Sequence, residues 1–260
     1  MSESKIISVG DHISDAMEET QEVANSYTYP VFVNAGNDKP DLIASSVAIQ
    51  HKGGIYLVTA SHVLDDVKIA NSPFYIGIEG NFVAIEGQFT RSVSTIADDF
   101  DIAFITLLDS FVSENKIKFV PEDKILFRRN FESFHLALIH GYPCTKNKQF
   151  KALFGGTSFK SFAFSYGGKI DKNYASWAPF RKMKEIHIGM KYGKAKDVKG
   201  AIVNPPKPHG ISGGGLWIMP DSFKPTELYL AGIAIEHHKG PGIVFSTKIK
   251  KVIEFIEQNA

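Results

Sequence analysis

The sequence predicts an all-β protein with a helix at each end. Between the ends, apolar and β-branched runs of five to eight residues alternate with clusters of Gly, Asn, Asp and Pro, which is typical of short strands joined by turns. Helical signals occur only near the two termini. No repeat of fixed period is visible, which argues against solenoids and propellers. We therefore expect strands throughout the body of the chain.

The two terminal helices have different signatures. Residues 14–24 mix acidic and small residues with Met17 and Val23, which predicts a short surface helix capped by Asp11 or Ser14. The C-terminal helix is predicted by four apolar residues at helical spacing: Ile249, Val252, Ile253 and Ile256. Its cap is expected at Ser246 or Thr247, and its apolar face should pack on a core.

Three hairpins and one linker organise the region between the helices. The hairpins join residues 42–50 to 55–60, 73–78 to 82–86, and 213–219 to 228–236. The charged, proline-bearing stretch 109–124 separates two clusters of strands. The expected organisation is a helical segment at 1–25, a first β domain at 26–108, a linker at 109–124, a second β domain at 125–245 and a C-terminal helix at 246–260.

Length and composition are those of an ordinary globular protein. The chain has 260 residues, of which 43% are hydrophobic and 22% charged, so it can bury a large core without metal or disulfides. No apolar run approaches the roughly 18 residues of a membrane helix, and the N-terminus lacks the features of a secretory signal. Cys144 is the only cysteine. These features predict a cytoplasmic protein that does not enter a membrane.

The net charge of +1 conceals three unequal blocks. Lys and Arg against Asp and Glu number 10 against 20 in residues 1–145, 14 against 3 in residues 146–207, and 5 against 5 in residues 208–260. The basic middle block interleaves cations with aromatic residues, an arrangement that can bind single-stranded nucleic acid. No named DNA- or RNA-binding motif accompanies it, so the simpler interpretation is a domain core with covering loops.

Two short motifs combine a strand with a residue suited to acid–base chemistry. In Thr59-Ala60-Ser61-His62 an apolar strand runs into a histidine, and in Asp101-Ile102-Ala103 an aspartate opens an apolar run. A lone histidine after a strand is more often structural, and an aspartate at a strand entry is common. An ionised carboxylate buried there needs a donor, which an imidazole N–H can supply. Asp98 and Asp99 compete for the same role.

A glycine-rich turn around one serine is the stronger signal. Residues 210–217, GISGGGLW, place Ser212 between glycines and before an apolar strand. Glycines let the backbone adopt positive φ and turn consecutive N–H groups toward one point, which is the geometry that stabilises a developing oxyanion. A plain flexible loop would explain the glycines, but less readily a single nucleophile so placed.

Taken in chain order, the three motifs resemble those of the trypsin-like, chymotrypsin-fold serine peptidases, in which His precedes Asp and Asp precedes Ser. The spacings are 39 and 111 residues. Gly141-Tyr142-Pro143, Leu230-Ala231-Gly232-Ile233 and Pro241-Gly242-Ile243 extend the similarity over about residues 30–258. The resemblance implies a disulfide-free, intracellular member of the family, with two six-stranded antiparallel β-barrels and a C-terminal helix.

The resemblance also implies roles. Ser212 Oγ would attack the scissile carbonyl of a protein or peptide substrate, His62 would take its proton, and Asp101 would hold the imidazole. The N–H groups of Gly210 and Ser212 would form the oxyanion hole, and no cofactor is implied. Because a general base must be neutral, activity should rise toward neutral pH with a midpoint of about 6.5–7.

Three departures from the family pattern bear on activity. Ile211 stands where zymogens place an Asp that receives a newly cut N-terminus, so activation by that route is not expected. Gly215 replaces the usual Pro, and Ala44-Ser45-Ser46 replaces the usual Gly-x-Gly. Extra backbone freedom would leave the oxyanion hole poorly formed at rest. Two alternatives therefore remain: a regulatory protein partner orders the site, or the protein is a catalytically silent peptide-binding module.

By the same resemblance, Pro206 lies at the base of the pocket for P1, the substrate residue that precedes the scissile bond. The remainder of this pocket is assigned to His209, Ala234, Ile235, Glu236 and Gly242. Pro206 supplies no charge for Lys or Arg, and Ala234 stands where glutamate-specific relatives place a histidine. A charged P1 side chain would be buried without a partner, so we expect a small or apolar P1 residue.

Two further candidates carry less weight. Cys144, with His140 nearby in sequence, is a second potential nucleophile, but the serine motif already occupies that place in the fold, so a structural thiol is expected. The pair His237-His238 suggests a metal site. Neighbouring residues on a strand point to opposite faces, however, and no carboxylate or Cys cluster accompanies the pair, so we expect no metal.

Overall fold

Two antiparallel sheets form the body of the chain, which confirms the all-β prediction. The computed structural model describes residues 9–36, 39–92, 100–126, 136–147, 160–168, 170, 186–196, 201–219, 227–240 and 242–260. Within these ranges the chain adopts the chymotrypsin-like two-barrel architecture with a short C-terminal helix. In the same ranges, no helix combines the length and the apolar character needed to cross a bilayer.

The first sheet is formed by strands within residues 28–107. Its strands are β1 Thr28–Asn34, β2 Pro40–His51, β3 Gly54–Ala60, β4 Phe74–Ile78, β5 Asn81–Ile85, β6 Thr90–Arg91 and β7 Ile102–Leu107. They lie in the order β5-β4-β1-β2-β3-β7-β6, and the β2–β3 and β4–β5 pairings confirm two of the predicted hairpins. The sheet thus has one strand more than the expected six. The additional strand is β6, which is two residues long and pairs with β7.

The second sheet has the six strands expected. Its strands are β8 Leu136–Gly141, β9 Phe164–Gly168, β10 His187–Lys191, β13 Gly215–Met219, β14 Tyr229–His238 and β15 Ile243–Lys248, in the order β10-β15-β14-β13-β8-β9. The β13–β14 pairing confirms the third hairpin. Ile170, two residues beyond β9, bridges to Met190 on β10, which brings the two edge strands together. A separate two-stranded ribbon joins β11 Ala195–Lys196 to β12 Ile202–Val203.

The N-terminal helix α1, Val9–Tyr27, is longer and more buried than predicted. Its small residues Ala16, Thr20 and Ala24, spaced four apart, are buried against the sheets, and the Tyr27 ring lies 6.1 Å from that of Trp217. Small side chains on one face let a helix approach a sheet closely. The prediction of a surface helix overlooked that these small residues recur every four positions. Asp11 and Ser14 lie inside α1, so the prediction that one of them caps it is wrong.

In the described residues three shorter helices follow: α2 Val63–Ile69, α3 Asp109–Glu114 and α4 Ile249–Asn259. The expectation of strands throughout the body of the chain is therefore wrong at α2 and α3. The apolar stripe predicted for α4 is confirmed, since all four of its residues are buried. The predicted cap is wrong: β15 pairs with β14 through Lys248, so Lys248 rather than Ser246 or Thr247 directly precedes the helix. The Thr247 hydroxyl instead donates to the Phe100 carbonyl at 2.7 Å, which ties the second sheet to the segment before β7.

Helix α4 also packs across to the first sheet. The Phe255 ring contacts the rings of Phe100 and Phe104 edge to face, with centroids 5.2 and 5.6 Å apart. Because Phe100 directly precedes Asp101, this cluster fixes the entry to β7 from outside the sheet.

We expect the Ile256→Ala variant to lose about 2–5 kcal/mol of unfolding free energy, because Ile256 is only 1% exposed on the packed face of α4. The control is Lys250→Ala on the exposed face of the same helix, which should change stability by about 0.5 kcal/mol or less. Urea unfolding followed by circular dichroism measures both. Equal stability of the two variants would contradict the packing described for α4.

Candidate active site

The register of two neighbouring strands brings His62 and Asp101 together. Strand β3 pairs antiparallel with β7, and Ala60 lies opposite Ile102. The residues just after β3 therefore meet the residues just before β7 at the same edge of the sheet. The backbone N–H of Ser61 donates to the Asp101 carbonyl at 3.1 Å, which continues the pairing one step beyond the strands.

The Asp101 carboxylate binds His62 with both oxygens. His62 Nδ1 lies 2.7 Å from Oδ2, and the His62 backbone N–H donates to Oδ1 at 2.9 Å. Asp101 has a φ of +46°, a left-handed conformation that Asp tolerates better than most residues, and this turns its side chain back toward the histidine. The contact makes Nδ1 the protonated nitrogen, which leaves Nε2 as the acceptor.

The acidic surroundings of His62 favour its charged form. Its side chain is 42% exposed, whereas that of Asp101 is 18% exposed. Burial lowers the pKa of His62, but the hydrogen bond to Asp101 and the charges of Asp101, Asp66 and Asp65 together raise it above its ordinary value. The imidazole is therefore a stronger base than a free histidine.

The loop that carries Ser212 depends on two glycines with left-handed backbones. Gly210 has a φ of +94° and Gly213 a φ of +83°. A Cβ on Gly210 would lie 2.5 Å from the Tyr142 carbonyl oxygen, and a Cβ on Gly213 would overlap the Ser45 carbonyl oxygen. Only glycine therefore fits both conformation and space at these two positions.

Ser45 of β2 fastens this loop to the first sheet. Its backbone N–H donates to the Ser212 carbonyl at 2.8 Å, and its hydroxyl donates to the Gly210 carbonyl at 2.8 Å. The same hydroxyl accepts the Tyr142 N–H at 2.8 Å. Ser45 is fully buried, so these bonds are sheltered from water.

The carbonyls of the loop are occupied, and this determines where two N–H groups point. The His209 carbonyl accepts the Cys144 N–H at 2.8 Å, and the Ile211 carbonyl accepts the Gly214 N–H at 2.7 Å. Across a trans peptide the N–H points opposite to the C=O, so the N–H groups of Gly210 and Ser212 are directed away from these contacts. In the described part of the chain neither N–H has a protein acceptor. Both are available to an anion.

His62, Asp101 and Ser212 line one cleft of about 890 Å³. Its other walls are Tyr192, Pro205, Pro206, Lys207, Pro208, His209, Ile235, Glu236, His237, Lys239 and Gly242. Five of the six residues assigned to the P1 pocket are in this set. The sixth, Ala234, is buried behind it, and its N–H and C=O bond Gly214 and Gly213.

Two contributors to this region have no counterpart among the residues predicted from the sequence. In the sequence, Ser45 is only a departure from a glycine pattern, and Tyr192 is only one of the aromatic residues within the basic block 146–207. No local pattern marks either residue. The partners of Ser45, for example, lie 97 and 165 residues away in the chain. The competing carboxylates Asp98 and Asp99 lie outside the described residues.

The alternative nucleophile, Cys144, lies behind the loop rather than in the cleft lining. Its Sγ is 2.9 Å from the Leu42 carbonyl, and burial raises the pKa of the thiol to about 12. His140 is buried as well, with Nδ1 2.6 Å from the Ser165 hydroxyl, and burial lowers its pKa to about 3. Because its pKa is about 12, the Cys144 thiol is almost entirely protonated at neutral pH, which makes it a poor nucleophile.

The histidine pair serves two separate contacts. The His237 ring packs on Tyr192 with centroids 5.6 Å apart, whereas His238 Nε2 lies 2.7 Å from Glu236 Oε1. Across the described ranges, no group of three or more His, Cys, Asp or Glu side chains is arranged to hold a metal ion.

Comparison with known proteins identifies the fold. No family model and no curated protein matches the sequence. An inactivated protease paralogue of the scabies mite matches 92% of this chain and 95% of its own, with a TM-score of 0.56 and 14% identity. The serine endoprotease of Yersinia pestis matches 98% of this chain and 67% of its own, with a TM-score of 0.53 and 15% identity.

A third match is a Sesbania mosaic virus structure in which aromatic interactions drive the coupled folding and binding of the disordered VPg protein. It covers 89% of this chain and 90% of its own, with a TM-score of 0.51 and 16% identity. At such identities the likeness concerns the fold alone, and that fold is the one found in serine-protease domains.

We expect the Ser45→Ala variant to lose about 1–3 kcal/mol of unfolding free energy, because it leaves a buried carbonyl and a buried N–H without their hydroxyl partner. The matched control is Ser46→Ala, at the next buried position of β2, whose hydroxyl makes one longer bond of 3.3 Å to the Tyr29 carbonyl. Chemical denaturation measures both variants. A Ser45→Ala protein at least as stable as the control would contradict the fastening role of Ser45.

Proposed function

We propose that this protein is a serine endopeptidase that hydrolyses peptide bonds of a protein or peptide substrate through Ser212, His62 and Asp101. The observation that carries the proposal is the His62 imidazole, which binds Asp101 through Nδ1 and lines the same cleft as a serine held in a glycine turn. A base oriented by a carboxylate beside a hydroxyl nucleophile is the arrangement that acyl transfer requires.

In the proposed first step, Ser212 Oγ bonds to the scissile carbonyl carbon while its proton passes to His62 Nε2. The Asp101 carboxylate stabilises the resulting imidazolium, which agrees with the raised pKa of His62. The imidazolium then gives the proton to the leaving amide nitrogen as the C–N bond breaks. Water then attacks the acyl-enzyme carbonyl while His62 takes its proton. The bond to Ser212 Oγ breaks, Oγ receives the proton from His62, and the acid product is released. Between Oγ and Nε2 no hydrogen bond exists in the described structure, and such bonds often tighten only when substrate is bound.

The N–H groups of Gly210 and Ser212 are proposed as the oxyanion hole. Their availability is supported by the occupied carbonyls of His209 and Ile211. Gly215, the departure that suggested a loose loop, is the first residue of β13 and pairs with both His140 and Ile233. We therefore propose a hole that is formed without a regulatory partner. Loss of one such donor typically costs about 10²–10³ in rate.

The P1 pocket is proposed at Pro206, His209, Ile235, Glu236 and Gly242, as predicted, with Ala234 as a support behind it. Glu236 Oε1 lies 2.7 Å from His238 Nε2, so this carboxylate oxygen already has a partner within the protein. This favours an uncharged P1 residue over Lys or Arg.

A catalytically silent peptide-binding module is the second candidate, because one protein of this fold is described as an inactivated protease paralogue. The nucleic-acid alternative has less support. Tyr166 and Tyr192 of the basic block are buried and pack against each other, so they are not free to stack on bases. A cytoplasmic location remains part of the proposal, based on Cys144 as a free thiol.

An alkyl fluorophosphonate should label Ser212 in the purified protein with no partner added, because it needs only an activated hydroxyl and an oxyanion hole. Ser212→Ala should abolish labelling, and His62→Ala or Asp101→Asn should slow it by about 10³-fold or more. Intact-mass and peptide mass spectrometry measure the adduct.

Cys144→Ala is the control and should be labelled at nearly the wild-type rate. A folded wild-type protein that gains no adduct would support the silent module instead. Labelling that survives Ser212→Ala and is lost in Cys144→Ala would transfer the nucleophile role to the thiol.

The labelling rate should rise with pH to a half-maximum above pH 6.5, since His62 acts only when neutral and its pKa is raised. Asp66→Asn removes a negative charge that favours the imidazolium, so the midpoint should move to lower pH. Asp109→Asn on α3 is the control and should leave the midpoint unchanged. A rate that does not vary between pH 5 and 8 would contradict His62 as the base.

A further inference from the structure

We propose that the Tyr192 ring forms a fixed inner wall of the P1 pocket and limits P1 to small side chains such as Ala or Ser. The inference rests on the proposed function and deepens it. An uncharged pocket alone would accept Leu or Phe as well as Ala, whereas a pocket shortened by an aromatic ring excludes the larger residues.

The position of Tyr192 follows from its contacts with two of the assigned pocket residues. Its hydroxyl donates to the Pro206 carbonyl at 2.7 Å, and its backbone N–H donates to the Gly242 carbonyl at 2.7 Å. A Cβ on Gly242 would lie 3.0 Å from the Tyr192 carbonyl oxygen. Tyr192 thus spans the distance between the proposed base of the pocket and its wall, and it lines the same cleft as Ser212.

The ring is held on its remaining sides. Tyr166 packs against it with centroids 4.5 Å apart and His237 with centroids 5.6 Å apart, and Tyr192 as a whole is only 5% exposed. The Tyr166 hydroxyl also accepts the Gly193 N–H at 3.1 Å, which fixes the backbone next to Tyr192. Turning the ring aside would break the bond to Pro206 and both ring contacts. It therefore acts as a wall rather than as a movable gate.

The chemistry of the phenol agrees with an uncharged substrate. Its only proton is already donated to Pro206, and burial raises the pKa of Tyr192 above its ordinary range, so the side chain stays neutral. A P1 side chain that reaches the ring meets apolar carbon and gains no charge partner. A larger side chain would have to displace a ring fixed by two hydrogen bonds, at the hydroxyl and the backbone.

The test uses peptidyl phosphonates that differ only in P1, as Gly, Ala, Val, Leu or Phe, with an alkyl fluorophosphonate as the reference that needs no pocket. The wild-type protein should react fastest with Ala and at least about tenfold more slowly with Phe. Tyr192→Ala should raise the Phe-to-Ala rate ratio by about tenfold or more, because it removes the ring. Tyr192→Phe retains the ring and should keep the wild-type order.

The control is Tyr56→Ala, a half-buried tyrosine of the first sheet whose ring contacts Phe104 rather than the cleft, and it should not change the ratio. A wild-type protein that reacts with Phe as fast as with Ala would overturn the proposal, and this arm needs no variant to fold. A folded Tyr192→Ala protein with an unchanged ratio would overturn it too. Absence of reaction with the alkyl fluorophosphonate would reject the peptidase function itself.

Discussion

Ser45 of the first sheet holds the loop of the second sheet that carries Ser212. Ser45 binds the carbonyls of Ser212 and Gly210 through its N–H and its hydroxyl, and its own carbonyl accepts the Thr59 hydroxyl at 2.8 Å. His62 and Asp101 belong to the first sheet, so this junction determines where Ser212 lies relative to them. The close approach is sterically compatible only with glycine at 213.

The same junction divides the polar groups of the loop by function. Hydrogen bonds inside the protein use its carbonyls, and in the described residues the N–H groups of Gly210 and Ser212 have no protein acceptor. On the opposite side, Phe255 and Thr247 secure Phe100, the residue before Asp101, so the carboxylate is positioned from both sheets. The orientation of His62 thus follows from pairing within the first sheet, whereas the conformation of the Ser212 loop, and with it the proposed oxyanion hole, depends on packing between the two sheets.

Sequence reasoning reached the features that depend on local order. The hairpins and the apolar stripe of α4 follow from alternation and helical spacing within short stretches of chain. The pairing of His62 with Asp101 is implied by the family resemblance rather than by spacing. It missed features that depend on distant partners. The hydroxyl of Ser45 bonds residues of the second half of the chain, Lys248 occupies the N-cap position of α4 because β15 continues to pair, and Tyr192 is bonded to Pro206 and Gly242, which are distant in sequence.

A crystal structure of the protein with a peptidyl phosphonate bound to Ser212 tests the proposed oxyanion hole most directly. The phosphoryl oxygen should lie about 2.7–3.1 Å from the backbone nitrogens of Gly210 and Ser212, with His62 still bound to Asp101. The Ser45 bonds to the loop should be unchanged. A phosphoryl oxygen turned into solvent, or a Gly210 peptide whose carbonyl faces the adduct, would contradict the proposed oxyanion hole.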